Sequence, residues 1–248
     1  MQPADLIPVV VGPFVGSFLY ALVVRYPELA GFAAGRSTCP ACRRAILPRD
    51  LVPVVSWLVL RGRCRACAAP IGWQYPAVEL GAAALALWAA TEFSGWLLWA
   101  SCALGWALLA LALVDLRCSR LPDLLTLPTL LAGLGVTGLA WPDELPQHVA
   151  GAVLGYAGLA AIGWLYHRFR GREGLGLGDA KLLAAAGAWL SWPALPSAVL
   201  IAAVLALAAT LAAGAMRRVP LSATTRVAFG PYLAAAIWLV WLYGPMAL

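Results

Sequence analysis

Charged residues are scarce in this chain of 248 residues: they make up 11% of it, whereas a soluble domain carries about 25%. Apolar residues make up 63%, against about 45–50% in soluble domains. A water-exposed surface needs more polar groups than this composition supplies, which excludes a soluble globular enzyme. The composition predicts a chain that lies mostly in lipid.

The first apolar run does not show the two marks of a removable secretion signal. The first apolar run has no positively charged segment before it and no small-residue cleavage site after it, and both features mark signal peptides. We therefore interpret the first run as a retained membrane span.

Long apolar runs with few or no charged residues recur along the whole chain. A helix needs about 20 apolar residues to cross the hydrocarbon core, and seven runs of about this length, with one shorter run, meet or approach that requirement. They predict an all-α fold, a polytopic membrane bundle of about eight transmembrane helices. The runs cover residues 6–24, 76–93, 96–114, 124–141, 148–166, 180–192, 197–214 and 229–245.

The basic residues all fall on one side of this predicted bundle. If the N-terminus lies outside, the four inner segments hold all 17 Lys and Arg, and the outer connections and both termini hold none. Loops rich in Lys and Arg stay in the cytoplasm, so we expect both termini on the outer face. The inner segments are 25–75, 115–123, 167–181 and 215–228.

Two CxxC pairs lie in the first inner loop. Each pair turns two thiolates toward one point, and four thiolates suit tetrahedral zinc. We expect a structural zinc site, since a disulfide would need an oxidising compartment. Neighbouring arginines would also favour reactive thiolates, so redox or unligated thiols remain the alternative. The expected ligands are Cys39, Cys42, Cys64 and Cys67.

Two aspartates border the predicted inner face. Asp115 follows the uncharged stretch 97–114, and Asp179 directly precedes an apolar run. Charged residues at membrane depth are costly and tend to be functional. Two carboxylates in one low-dielectric site share a proton, which supplies a general base for water beside a general acid for the leaving amine. We expect this pair to form an acid/base site, with Gly176 and Gly178 allowing backbone to approach a substrate closely.

Each carboxylate also has a structural alternative. Asp115 and Asp123 are placed where polar residues close helix ends, and Asp123 suits a helix N-cap. Asp179 could cap the following helix and pair with Lys181. The glycines of this segment do not follow the GxxxxGK[ST] order of a phosphate-binding loop.

Five motifs, in order, resemble those of the bacterial type IV prepilin peptidases, the leader peptidases and N-methyltransferases of the inner membrane. The last motif resembles the GxGD signature of aspartyl proteases. The matching segments are GSFL at 16–19 with RYP at 25–27, LVPVVSWL at 51–58 with LRGRC at 60–64, YPAVEL at 75–80, DLRCSRLPDLLTLP at 115–128 and GLGDAKL at 176–182.

The resemblance implies a mechanism and a division of the chain. It implies catalysis by Asp115 and Asp179, cleavage of prepilin or pseudopilin leaders after a glycine, and methylation of the new N-terminal residue from S-adenosylmethionine. The supporting residues are Asp123, Gly176, Gly178 and Lys181. The expected domains are a first transmembrane helix at 1–24, a cytoplasmic four-cysteine zinc-binding loop associated with methylation at 25–75, and a transmembrane peptidase core at 76–248.

The resemblance also implies where the protein is located and which partners it has. We expect a multi-pass inner-membrane protein, with membrane lipid and prepilins as partners and no nucleic acid. Glu79 and Glu28 are the nearest acidic candidates for contact with a basic leader. Tyr20 and Asp50 depart from the family pattern, which has Asn at both places, and both lie in the half associated with methylation. No fingerprint marks the methyl-donor pocket.

Two functions of other classes stay open at this point. A transporter would use the aspartates to bind a coupling cation, but such sites lie near the bilayer midplane. A membrane thiol oxidoreductase would use the CxxC pairs, but one that serves secretion would expose them on the outer side.

Overall fold

The computed structural model describes residues 2–27, 37–171, 176–217 and 228–246. Within these ranges the chain forms nine α-helices, four short 3-10 turns and no β-strand. The helices are α1 (Ile7–Arg25), α2 (Val55–Val59), α3 (Gln74–Glu92), α4 (Gly95–Cys118), α5 (Asp123–Ala140), α6 (Leu145–Arg170), α7 (Leu177–Leu190), α8 (Leu195–Arg217) and α9 (Gly230–Tyr243).

Eight of these helices coincide with the eight predicted runs, and the all-α, polytopic prediction is confirmed. Five helical segments of the described chain are long and apolar enough to cross a membrane by length and composition. They correspond to α1, α4, α5, α6 and α8. The helix α9 is apolar but shorter, with 14 residues. The helix α7, also 14 residues long, starts at Leu177 and not at the predicted residue 180.

The chain divides into two compact units, Met1–Trp106 and Ala107–Leu248. In the first unit, α1 packs against α3 at two glycines. A Cβ on Gly12 would lie 2.8 Å from Cα of Ala83, and one on Gly16 would lie 2.8 Å from Cα of Glu79. Only glycine permits this approach of two backbones, which is the usual use of small residues in membrane helix packing.

The second unit is built around α7, whose residues from Ala180 to Trp189 are almost all buried. A helix that is apolar on every side belongs in the centre of a bundle. Against it packs α6, with Gly155 so close that a Cβ would lie 2.5 Å from the carbonyl oxygen of Leu183. The helix α5 packs on another side of α7, where Nε1 of Trp189 in α7 donates a hydrogen bond of 2.8 Å to the carbonyl of Thr129 in α5. The central helix therefore carries Asp179 at its start.

Candidate active site

Asp115 lies in the last turn of α4 and is only 6% exposed. Its Oδ2 accepts a hydrogen bond of 3.0 Å from the backbone N–H of Gly230, the first residue of α9. The first N–H groups of a helix have no partner within the helix, and they carry the positive end of its dipole. A carboxylate is a fitting partner for them, so the N-terminus of α9 holds Asp115 in place.

Asp179 is the third residue of α7 and is partly buried. Gly176 precedes the helix in an extended conformation, and its carbonyl accepts the N–H of Asp179 at 3.1 Å. The carboxyl of Asp179 lies close enough to Asp115 for the two charges to interact. The two carboxylates that the sequence singled out thus lie within range of an electrostatic interaction.

Gly178 meets the segment that joins α4 to α5. A Cβ at this position would lie 3.0 Å from Cβ and 3.4 Å from Cδ1 of Leu121, so a side chain here must displace a buried leucine. Gly176 is different, because the nearest atom to its Cβ position is Oδ2 of Asp179 at 3.7 Å, an ordinary contact. The packing therefore gives a steric reason for glycine at 178 and none at 176.

Asp123 and Lys181 form an ion pair across α5 and α7, with Oδ1 and Nζ 2.5 Å apart. The N-cap of α5 is Pro122, and Asp123 is already the first helical residue without a capping hydrogen bond. The N-cap interpretation of Asp123 is therefore wrong, and so is the pairing of Lys181 with Asp179. The two side chains are 56% and 35% exposed, and exposed pairs of this kind contribute about 0–1 kcal/mol.

The amino-acid sequence does not predict the contact of Gly230 with Asp115. The order Phe229-Gly230-Pro231 does signal a helix start, since proline suits the first helical turn. Nothing in that local signal shows that the helix start meets an aspartate from α4.

The four cysteines of the two CxxC pairs converge in the first unit. Their Sγ atoms all lie within 4.8 Å of one another, and those of Cys39 and Cys67 are 3.8 Å apart. A tetrahedral zinc ion with Zn–S bonds of about 2.3 Å would hold its sulfurs about 3.8 Å apart. The cluster has the donor set and the spacing to hold a metal ion.

The two CxxC pairs have the same local backbone conformation. The N–H of Cys39 donates to the carbonyl of Arg44 at 2.9 Å, and the N–H of Cys64 donates to that of Ala69 at 2.8 Å. The residue after each pair, Arg43 or Ala68, has a φ of +56°. That conformation costs a residue other than glycine roughly 1–2 kcal/mol, which indicates that the loop is shaped around the thiols.

Hydrogen bonds within the first CxxC pair favour the ionised form of the Cys39 thiol. The backbone N–H groups of Cys42 and Ala41 lower the pKa of the Cys39 thiol to about 6. A thiolate is the form of cysteine that binds metal, so Cys39 is the ligand most readily available. All six cysteines are free, and none forms a disulfide within the described ranges.

The two departures from the family pattern both have partners in the first unit. The ring of Tyr20 meets that of Tyr75 edge-on, with centroids 4.6 Å apart. Asp50 accepts hydrogen bonds from Arg65 Nε and Nη2, the shortest at 2.7 Å, and this guanidinium holds the pKa of the carboxyl below its usual range. Both residues therefore have structural roles.

Glu79, one of the two candidates for leader contact, is buried in α3. Its Oε2 accepts the backbone N–H of Val54 at 2.7 Å, and the side chain of Ser17 also bonds to it. Glu79 thus connects the loop before α2 to the two long helices. Glu28 lies outside the described residues.

Comparison with known proteins relates both halves of the chain to leader peptidases. Residues 10–93 match the bacterial peptidase A24 N-terminal domain, and residues 102–211 match the type IV leader peptidase family. A prepilin leader peptidase/N-methyltransferase of Stutzerimonas stutzeri is 37% identical over 96% of this chain and 90% of its own. The chain belongs to the type IV leader peptidase family.

Other members of the family are similarly related. The Burkholderia pseudomallei strain 1026b protein of the same name is 44% identical over 92% of this chain and 81% of its own. The Pseudomonas aeruginosa protein, again of that name, is 37% identical over 96% and 90%. No solved structure matches the chain.

Each of the two matched segments contains one of the two candidate sites. The four-cysteine cluster lies in the segment that matches the A24 N-terminal domain, and both aspartates lie in the segment that matches the type IV leader peptidases. Gly230 lies beyond both matched segments. The family gives no support to a transporter or to a thiol oxidoreductase.

Proposed function

We propose that this protein cleaves the leader peptides of type IV prepilins or pseudopilins, with Asp115 and Asp179 as its catalytic pair. The observation that carries the proposal is that these two carboxylates, one in the last turn of α4 and one in the first turn of α7, lie within range of an electrostatic interaction, in the segment that matches the leader peptidases. The names of the relatives support the substrate class.

The pair works by sharing one proton. The ionised carboxylate takes a proton from water, and the water oxygen bonds to the scissile carbonyl carbon. The protonated carboxyl donates its proton to the leaving nitrogen as the C–N bond breaks. The proton belongs to the pair and not to one residue. The N–H of Gly230 holds Asp115 in position through the reaction.

The cleavage takes place at the cytoplasmic face of a bacterial inner membrane. The support is the distribution of Lys and Arg, all of which lie in segments that one topology places inside. In that topology both termini are periplasmic, and the four-cysteine loop and the aspartates face the cytoplasm. The substrate keeps its apolar segment in the bilayer while its leader is removed.

The same protein methylates the new N-terminal residue, with S-adenosylmethionine supplying the methyl group. The support is the N-methyltransferase part of the relatives' names and the match of residues 10–93 to the family's N-terminal domain. The four cysteines hold a structural zinc ion that fixes the shape of this part, since four thiolates at these distances are the ligands of structural zinc. We assign no residues to the donor pocket.

The test uses purified protein in lipid vesicles with a prepilin-type peptide and S-adenosylmethionine. Mass spectrometry should find the mature peptide and a further product heavier by one methyl group. Asp115→Asn and Asp179→Asn should remove the cleaved product, and Asp143→Asn, at an exposed aspartate, should leave it. An intact peptide after incubation with wild-type protein would contradict the proposal.

A further inference from the structure

The helix α2 and the residues just before it carry an exposed apolar face that neither candidate site uses. Val55, Leu58 and Val59 are 56%, 61% and 70% exposed, and residues spaced three and four apart lie on one face of a helix. Leu51 and Val52, which precede the helix, are also exposed. We call these five side chains the apolar strip. Exposed apolar side chains grouped in this way mark an interaction surface.

The opposite side of α2 is held against the rest of the first unit. Nε1 of Trp57 donates a hydrogen bond of 3.1 Å to the carbonyl of Ile71, and a Cβ at Gly62 would lie 3.0 Å from the Trp57 ring. Val54, the N-cap of α2, has a φ of +60°, which is rare for a β-branched residue. In this conformation its N–H donates to Oε2 of Glu79 at 2.7 Å. These contacts fix α2 with the apolar strip facing outward.

The contact with Glu79 places the start of α2 beside the apolar part of two long helices. Glu79 lies in the second turn of α3, roughly 9 Å along the helix axis from Trp73, at about 1.5 Å per residue. It packs against Gly16 in the interior of α1, well before that helix ends at Arg25. The start of α2 is therefore level with the interior of a helix that is long and apolar enough to cross a membrane.

Both long helices expose apolar side chains at this level. Phe18 of α1 and Leu80 of α3 are each 55% exposed, as expected of side chains that face lipid. Trp73, at the N-cap of α3, is 68% exposed, and tryptophan favours the membrane–water interface. Amphipathic segments that lie on a membrane enter it by about 5–10 Å. The start of α2 lies within this range of depth below Trp73.

Basic residues accompany the apolar strip. Residues 37–73 contain six arginines and a single acidic residue, Asp50, whose carboxylate is paired with Arg65. A segment that combines exposed apolar side chains with an excess of positive charge fits a membrane surface that carries anionic headgroups. The other five arginines are all exposed, and they are Arg43, Arg44, Arg49, Arg61 and Arg63.

We propose that the apolar strip inserts into the membrane surface and that the arginines around it bind anionic lipid headgroups. The ends of α1 and α3 already hold the loop between them at the membrane, and the strip adds a third attachment. The four-cysteine cluster lies in this loop, so the attachment gives it a fixed place at the membrane surface. The proposal does not depend on the catalytic activity proposed above.

Photo-cross-linking in lipid vesicles tests the insertion. A photo-reactive amino acid replaces Val59 in the purified full-length protein, and mass spectrometry identifies the adducts. We expect adducts with lipid acyl chains, as from Leu80, the positive control. The negative control is Asp143, an exposed residue in the connection between α5 and α6, which should give none. Adducts from Val59 with protein alone, from the same chain or a second copy, would overturn the proposal.

A second measurement tests the charge and the strip separately. The yield of acyl adducts from Val59 should be several-fold higher when phosphatidylglycerol is added to phosphatidylcholine vesicles, and Arg61→Gln with Arg63→Gln should remove most of that difference. Leu58→Gln should lower the yield about tenfold, whereas Ala45→Gln, at an exposed alanine of the same loop, should not. Equal yields in the two kinds of vesicle, or an unchanged yield in Leu58→Gln, would overturn the proposal.

Discussion

The backbone N–H of Gly230 donates to Oδ2 of Asp115 at 3.0 Å, and a Cβ at Gly230 would lie 2.7 Å from that same oxygen. The start of α9 therefore donates a hydrogen bond to this carboxylate and also packs directly against it. Glycine satisfies both conditions, because it brings its N–H close and has no side chain to displace the acceptor.

Gly230→Ala should therefore impair cleavage. The added methyl group must push the Asp115 carboxylate aside, and a displacement of about 1 Å in a catalytic group costs on the order of 100-fold in rate. We expect kcat to fall by that order while the protein stays inserted, measured with a prepilin peptide in vesicles. Gly158→Ala is the control, because a Cβ there meets nothing within 4 Å. An unchanged rate in Gly230→Ala would show that the contact has no role in catalysis.

Gly178→Val should block cleavage almost as fully as loss of Asp179. The valine side chain must enter the space of Leu121, since even its Cβ would lie 3.0 Å from Cβ of that residue, and the start of α7 must move with Asp179 on it. Gly135→Val, at a position open for 4 Å around the Cβ, should insert and cut normally. Normal cleavage by a stably inserted Gly178→Val protein would mean that close packing at 178 is not required.

Metal analysis of freshly purified protein should find one zinc per chain. Protons compete with zinc for thiolates, so acidification should release the metal. Cys39→Ser should lose the metal and reduce methyl transfer more than cleavage, whereas Cys118→Ser should keep both. Protein without zinc but with all four thiols reduced would contradict the structural site.

The rate of cleavage should depend on pH as a bell-shaped curve. In acid both carboxyls are protonated and no base remains, so the rate rises with pH; in alkali both are ionised and no acid remains, so it falls. The measurement is kcat/KM for one peptide across the pH range in which the protein stays folded. A rate that rises to a plateau with no alkaline decline would exclude an acid as a partner of the base.

The long helices were predictable because an uncharged run of about 20 residues has few alternatives to a membrane helix. Asp115 was predictable as a functional candidate because its charge ends such a run, and the cysteines because CxxC spacing is local. The contact of Gly230 with Asp115 and the pair Asp123–Lys181 join residues far apart in sequence, and no local pattern encodes them.

The most direct test of the account measures cleavage by Asp115→Ala, Asp179→Ala and the double variant, each in vesicles with one prepilin-type peptide. Removing either carboxylate leaves no acid/base pair, so each single variant should lose about 10³-fold or more in kcat. Losses within one catalytic unit are not additive, so the double variant should be no slower than either single variant. Near wild-type cleavage by either single variant, or additive losses in the double, would contradict a catalytic pair.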